Sequence, residues 1–322
     1  MNPPFSLPAE RITGLVLGGG GTRGFVCHAS AIRALERARC LDLKRITDVH
    51  GTSIGAVVGF LLALTRDVEY IMSLATPTLF MDVLNDGHFT NFVTHCAWTC
   101  AQGARAFLEQ ELQKSFVGTR RITFREFQAR TRVNLVVNAV NIINCKGEIF
   151  SAAAAPDVSV VDAVLASCAL PLLVAPQRLW RNDIEGLYVD GGIACNYLGC
   201  ADDALEDVRL AADATLGVRI VHERAVPPTA DAILRSPIHF LTRLAGVILG
   251  VHQAKKAHVR TIEINPCSTS IFSLTLSTET IQRLQETAEI AAMRVASHIK
   301  PLEAHLALGR TTTQEAGTQT TL

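Results

Sequence analysis

Gly51-Thr52-Ser53-Ile54-Gly55 stands between a short apolar run, Ile46 to Val49, and an apolar stretch at helical spacing, Ala56, Val57, Phe60, Leu61 and Leu64. A chain that passes from strand to helix through so short a turn bends sharply. The residue between the two glycines then takes strained backbone angles. Its small neighbours leave room, so the serine hydroxyl is pushed out over the sheet edge. Ser53 is the candidate nucleophile.

A second strand-to-helix passage lies upstream. Ile12 to Leu17 reads as a buried strand running into Gly18-Gly19-Gly20-Gly21-Thr22-Arg23-Gly24, after which Phe25, Ala29, Ile32 and Leu35 recur near helical spacing. Glycines at that place let a ligand approach the backbone closely, and their N–H groups sit at the positive end of the helix. Such a loop binds an anion. Gly19-x-Gly21-x-x-Gly24 satisfies the dinucleotide fingerprint, which also wants an acidic residue about 20 positions on, at the end of the second strand. Asp42 and Asp48 are nearby, but the strand holding Asp48 flows into the serine turn. No Lys-Ser or Lys-Thr follows the last glycine, so a phosphate-loop ATPase is excluded. The other reading is an oxyanion hole, in which backbone N–H groups of Gly20 and Gly21 meet the charge that develops on a carbonyl oxygen during acyl transfer. Arg23 either steadies the loop, binds a phosphate, or is a solvated residue of the first helical turn.

The remaining chain alternates strand and helix patterns. Asp67 is a candidate N-cap for a short helix, and residues 104–114 and 123–131 read as helices, the second capped by Thr123 with Glu126 three positions on. Between Thr76 and Gly103 the pattern loses its period. This region reads as a cap or access loop whose Phe80, Phe89, Phe92 and Trp98 either suit an acyl chain or form a satellite core. Asn134 to Ile143 and Glu148 to Ser151 read as strands, and Asp157 to Ala169 as a helix stopping before Pro171. Residues 172–182 read as extended. Tyr188-Val189-Asp190-Gly191-Gly192 places an aspartate at the end of an apolar strand before a flexible turn. Helices are expected at 199–207 and 231–256 and from Thr278 to Ile299, and strands at Leu216 to Val221 and Arg260 to Ile264. The apolar stripe of the 231–256 helix, Phe240, Leu241, Leu244, Val247, Ile248 and Val251, faces either the sheet or a lipid surface.

The composition narrows the class. Thirty Lys and Arg balance thirty Asp and Glu among 322 residues, so bulk charge argues for neither nucleic acid nor an anionic membrane. With 48% hydrophobic and 19% charged residues the chain is globular, and it has no apolar run long enough to span a bilayer. Its nine cysteines are odd in number and lack paired metal-site spacing. They read as free thiols of a reducing compartment. The expected organisation is a flexible leader at 1–11, one domain at 12–308 and a threonine-rich, disordered tail at 309–322. The expected location is the cytoplasm, with peripheral contact at membranes.

Gly-Gly-Gly-Thr-Arg-Gly at 19–24, Gly-Thr-Ser-Ile-Gly at 51–55 and Asp-Gly-Gly at 190–192, in that order, resemble the patatin-like phospholipase family. So does Ala166-Ser167-Cys168-Ala169-Leu170-Pro171, which matches the Ala-Ser-x-Ala-x-Pro segment that members carry before the aspartate. The resemblance covers residues 12 to 200. One departure follows Asp-Gly-Gly, where many members have Asn-x-Pro and this chain has Asn196 with Leu198 in place of the proline. The resemblance implies a three-layer α/β/α fold with a central, mostly parallel sheet, and hydrolysis of acyl-ester lipids such as phospholipids. It implies a dyad in which Ser53 attacks, Asp190 accepts the proton, and the loop of Gly19, Gly20, Gly21, Arg23 and Gly24 holds the oxyanion. Gly51, Thr52, Ile54 and Gly55 shape the elbow, and Gly191 and Gly192 the aspartate's turn. No metal and no cofactor is implied. The rival hydrolase reading is a Ser-Asp-His triad, for which His28, His50, His222, His239, His252, His258, His298 and His305 are candidates. A lipid-binding module that has lost catalysis is a further alternative, and the intact serine and aspartate weigh against it.

Overall fold

The computed structural model describes residues 7–200, 210–221, 229–231, 257–266 and 274–302. Its centre is an eight-stranded sheet of β1 (Gly14–Leu17), β2 (Asp48–Gly51), β3 (Asn134–Asn141), β4 (Lys146–Phe150), β5 (Gln177–Arg181), β6 (Ile184–Asp190), β7 (Thr215–Ile220) and β8 (Arg260–Ile264). The order is β8-β7-β1-β2-β3-β6-β5, with β4 also paired to β3. From β8 to β3 every pairing is parallel. Those of β3 with β4, β3 with β6, and β5 with β6 are antiparallel. The sheet is thus mostly parallel, as expected.

The central strands are apolar on both faces, which is why they read as continuous hydrophobic runs. Successive side chains alternate between two cores. Leu15, Leu17, Val49, Leu135 and Val137 enter the main one, while Val16 and Val136 join Tyr197 and Leu198 on the opposite face. The main core is completed by α1 (Gly21–Arg37), α2 (Ile54–Thr65), α4 (Val160–Ser167) and α5 (Thr278–Ala296), with α3 (Gln102–Ser115) contributing Leu108 and Leu112. Four helix starts are fixed by side-chain caps. Ser159 caps α4 and Ser277 caps α5, and Asp67 caps the short helix Val68–Ser73. Thr123 and Glu126 form the expected reciprocal capping box on Phe124–Thr131. Each such cap is worth about 1 kcal/mol.

The structure departs from the sequence reading in three places. Leu7–Pro8 pairs with Ile299–Lys300 and Ala9 is buried, so residues 7–11 are tied to the domain and do not form a flexible leader. That pairing also ends the last helix at Ala296, ahead of the expected Ile299. The aperiodic stretch 76–103 holds two short helices, Leu79–Val83 and Thr90–His95, and a strand, Ala97–Thr99, paired with Leu172–Val174. Elements this short do not complete enough turns to show a helical period. The helices expected at 199–207 and 231–256 fall largely outside the described residues, as does the 309–322 tail.

Both strand-to-helix passages, β1 to α1 and β2 to α2, open at the carboxyl ends of parallel strands, where ligands bind in open α/β sheets. Two histidines are sealed beside them. His50 lies on β2 between Val16 and Val136, and His28 lies on α1. Both are buried, and burial holds both imidazoles down to about 4. The unfolded chain therefore takes up protons near pH 6.5 that the fold refuses until about pH 4. Their contribution to stability is complete above pH 6.5 and is lost as pH falls, by up to about 1.4 kcal/mol per pH unit for each group. Asp190, held up to about 6 by burial, acts in the opposite sense below that pH but is one group against two. The urea midpoint is accordingly expected to be lower at pH 5 than at pH 7, and the slope to be shallower in His50→Leu. A midpoint that rises on acidification would contradict this.

Candidate active site

Ser53 sits between β2 and α2 with φ +53° and ψ −127°, a left-handed conformation that a residue with a side chain adopts only under constraint. The constraint is steric. A Cβ on Gly55 would fall inside the Leu17 carbonyl, so only glycine lets the first turn of α2 lie against the end of β1. A Cβ on Gly51 would lie 2.5 Å from the Ala56 Cα. Buried Thr52 and Ile54 flank the serine within the same turn. The elbow thus holds the half-buried Ser53 hydroxyl away from the core, at the wall of a pocket.

The Ser53 hydroxyl donates to Asp190 Oδ2 at 2.7 Å. Asp190 ends β6 and is buried, and its other oxygen accepts the Gly192 N–H at 2.7 Å. Burial raises its carboxyl to about 6, while the hydrogen bonds from Ser53 and Gly192 pull in the opposite direction. Burial is the larger influence, and the result is a carboxylate more basic than one in water.

The glycine loop lies directly against Ser53, where a Cβ on Gly19 would stand 3.4 Å from the Ser53 Cβ. Of the five loop residues singled out in the sequence, three are otherwise engaged. Gly19 N–H donates to the Asn196 carbonyl at 2.9 Å, and Gly24 N–H, already inside α1, to the Gly20 carbonyl at 3.3 Å. Arg23 is 2% exposed and so is not a solvated residue of the first turn. Burial lowers its guanidinium to about 10, and it does not line the pocket. Gly20 and Gly21 remain. Their N–H groups open α1, where no intrahelical acceptor exists, and both residues line the pocket beside Ser53. Gly21 has φ +61°, which glycine adopts at little cost.

Three residues not singled out as functional in the sequence hold this arrangement together. Asn196 returns an amide N–H to the Gly19 carbonyl at 3.5 Å, closing a two-way tie across the loop. Asn138 on β3 is buried and accepts from the Thr52 hydroxyl at 2.8 Å. Its amide donates to the carbonyls of Gly191 at 3.1 Å and Cys195 at 2.9 Å. It therefore joins the serine elbow to the aspartate turn. Ser167, buried at the end of α4, accepts the Ser53 N–H at 2.8 Å. Sequence spacing gave no signal for Asn138, and Ser167 and Asn196 were visible only as motif letters.

The pocket is apolar apart from the end that holds Ser53 and Asp190. Phe80, Val83, Phe107, Leu108, Val164 and Leu173 wall it, with Ser53, Asp190 and Asn196 at one side. Of the four aromatics that suited either an acyl chain or a satellite core, only Phe80 lines it. Phe92 packs at a tilt against Phe89 and Trp98, with centroids 5.9 and 6.3 Å apart, and Phe89 is 73% exposed.

Among the described residues the rival readings find no geometry. Asp42 caps the turn Leu43–Arg45, and Asp48 begins β2, at the far end of the strand from the glycine loop, so neither is placed to hold a ribose. His28 Nε2 pairs with the Gly18 carbonyl at 2.7 Å. Among the described residues no histidine is hydrogen-bonded to Asp190. His222, His239, His252 and His305 lie outside the described residues. Among the described residues there is no cluster of three or more metal-ligating side chains, no disulfide, and no helix long and apolar enough to cross a membrane.

Comparison with known proteins bears on the family and the fold. A family model described as patatin-like phospholipase matches residues 15–198. The chain is 28% identical over 198 residues to the probable lipid hydrolase 463L of Invertebrate iridescent virus 6, covering 60% of this chain and 64% of that one. It is 25% identical over 204 residues to protein R571 of Acanthamoeba polyphaga mimivirus, covering 63% of this chain and 66% of that one. The matches thus span just under two thirds of both viral relatives. A segment of 63 residues, 19% of this chain, is 52% identical to 4% of the lysophospholipase nte1 of Neurospora crassa. The crystal structure of VipD from Legionella pneumophila superposes with a TM-score of 0.56 over 89% of this chain and 67% of VipD, at 16% identity, a likeness of fold.

Replacing Asn138 with alanine removes three buried hydrogen bonds that join the serine elbow to the aspartate turn, while the Thr52 hydroxyl keeps the Cys195 carbonyl at 3.4 Å and the Gly191 carbonyl keeps the N–H groups of Ala194 and Cys195. The expected loss is about 1–3 kcal/mol of stability, since a typical hydrogen bond contributes about 0.5–1.5 kcal/mol net. Denaturant unfolding of Asn138→Ala measures it. A change within 0.5 kcal/mol, roughly the scatter of surface substitutions, would contradict the role given to this side chain.

Proposed function

The chain belongs to the patatin-like phospholipase family, and from that premise we propose that it is a serine lipid acyl hydrolase of the phospholipase A or lysophospholipase type. The observation that carries the reading is the 2.7 Å hydrogen bond from Ser53 to Asp190 at the wall of an apolar pocket. In this reading the acyl chain of the substrate enters the pocket and its ester carbonyl rests between Ser53 and the first turn of α1. The Ser53 oxygen attacks the carbonyl carbon as its proton passes to Asp190 Oδ2. The oxygen of the tetrahedral intermediate takes the N–H groups of Gly20 and Gly21, donors fixed in place before the charge appears. The intermediate collapses, the alcohol leaves with the proton held by Asp190, and an acyl-serine remains. Asp190 then draws a proton from water, which attacks the acyl-serine and restores the enzyme.

A free carboxylate is a poor base for a hydroxyl, and the buried position of Asp190 is what makes the step feasible. No histidine, metal or cofactor takes part in this scheme. Exposed Phe89, Val93 and Trp98 support a transient contact with the lipid surface from which the substrate is drawn. The apolar lining favours an acyl chain over a charged group, and it leaves the choice of headgroup to residues outside the pocket.

Released fatty acid from phospholipid, lysophospholipid and triglyceride panels tests the reading. Ser53→Ala and Asp190→Asn are each expected to lower turnover by roughly 10³-fold or more while the proteins stay folded. His28→Asn and His50→Asn retain measurable turnover, and an indispensable histidine would transfer the case to the triad. Because Asp190 must be ionised to accept the proton, kcat/KM is expected to rise with pH through about 6 and then level off. Full activity of Ser53→Ala would end the proposal.

A further inference from the structure

We propose that Ser167, together with the Ala169 carbonyl two residues on, sets the distance between the nucleophile and its base, so that Ser167 is a positioning residue for acyl transfer. The inference rests on the Ser53–Asp190 reading above and assigns a task to a segment that reading does not use.

Ser53 and Asp190 are not carried by neighbouring strands. β3 lies between β2 and β6, so their separation depends on what bridges the two strand ends. One segment touches both backbones. The Ser53 N–H donates to Ser167 Oγ at 2.8 Å, and the Asp190 N–H donates to the Ala169 carbonyl at 2.9 Å. Three consecutive residues therefore hold the main chains of both partners.

The hydroxyl at 167 answers a need created by the elbow. With φ at +53°, Ser53 directs its N–H neither into the sheet ladder nor into α2, and a buried N–H left alone is costly. Ser167 is fully buried, and its oxygen is the acceptor described for that N–H. The segment itself is stiff. Ser159 caps the start of α4, and Cys168 N–H closes the helix on the carbonyls of Val164 and Leu165 at 3.2 and 3.1 Å. Between the two clamping residues, Cys168 lines the acyl pocket with Val164 and Leu165. The wall that an acyl chain presses on and the brace that spaces the two reacting groups are thus one piece of chain. This gives the Ala-Ser-x-Ala-x-Pro segment a physical purpose: a hydroxyl at 167, a small residue at 169 whose carbonyl turns to Asp190, and a proline at 171 after the helix has ended.

Removing the hydroxyl leaves the apolar wall intact and loosens the nucleophile, so the effect belongs in kcat and not in KM. Looser contact between Ser53 and Asp190 also removes a hydrogen bond that lowers the Asp190 pKa, so the acid limb of the rate profile moves to higher pH. The test is steady-state hydrolysis of a short-chain p-nitrophenyl ester by the full chain and its Ser167→Ala, Ser167→Thr and Ser167→Cys variants, with thermal melts of each. Ser167→Ala is expected to lose roughly 10–100-fold in kcat with KM within about threefold, as befits a misplaced reacting group. Ser167→Thr, which keeps the oxygen, is expected to recover most of the loss. Ser167→Cys keeps the volume but offers only a weak acceptor, so it should follow alanine and carries the test if the alanine variant does not fold. A kcat within twofold of the unaltered protein in a folded alanine or cysteine variant would overturn the inference. A lower kcat with an unmoved acid limb and no recovery by threonine would overturn it as well. The two proposals fail separately, because an inactive Ser53→Ala beside an unaffected Ser167→Ala leaves the dyad standing and removes only the brace.

Discussion

The first turn of α2 lies so close to the end of β1 that no side chain fits between Gly55 and the Leu17 carbonyl. From that approach the rest of the site follows. It forces the chain to turn within the two residues between β2 and α2, which puts Ser53 at a positive φ and brings it beside Gly19. A larger residue at 55 would push α2 off the sheet and carry the serine away from the amides that open α1. The packing of one helix against one strand therefore decides whether Ser53 and the glycine turn share a pocket. Gly24, against Ile54, keeps α1 and α2 similarly close.

Burial sets the acidity of the group beside Ser53. Asp190 is buried, and desolvation raises its carboxyl to about 6, while the two hydrogen bonds it accepts pull the other way. The balance matters in both directions. A fully solvated aspartate would be too weak a base, and one buried without donors would hold its proton at neutral pH. Asn138 and Ser167 tie the serine elbow, the aspartate turn and the wall of the pocket into one network.

Much of this was legible in the sequence because the constraint itself is short-range. Gly-x-Ser-x-Gly, the glycine run and Asp-Gly-Gly each encode a local turn, and the apolar strands before them encode a buried sheet. The caps at Thr123 and Asp67 were legible for the same reason. The supporting contacts were not. Thr52 meets Asn138 across 86 positions, Ser53 meets Ser167 across 114, and Gly19 meets Asn196 across 177, separations at which no periodicity speaks. An asparagine inside an apolar strand looks like an imperfection until the partners appear on both sides. The loop donors show the same limit. Five residues fitted the anion-binding pattern, and only the fold reveals that Gly19 and Gly24 spend their N–H groups on carbonyls of the protein itself. The packed segment at 7–11 escaped notice because its partner strand, Ile299–Lys300, lies at the other end of the chain.

Peptide mass mapping after brief exposure to a fluorophosphonate is the most direct test that Ser53 is an activated nucleophile. The adduct is expected on the peptide containing Ser53, at a rate that rises with pH through about 6 as Asp190 ionises. An adduct on another serine, or none under conditions where the protein is folded, would contradict the assignment.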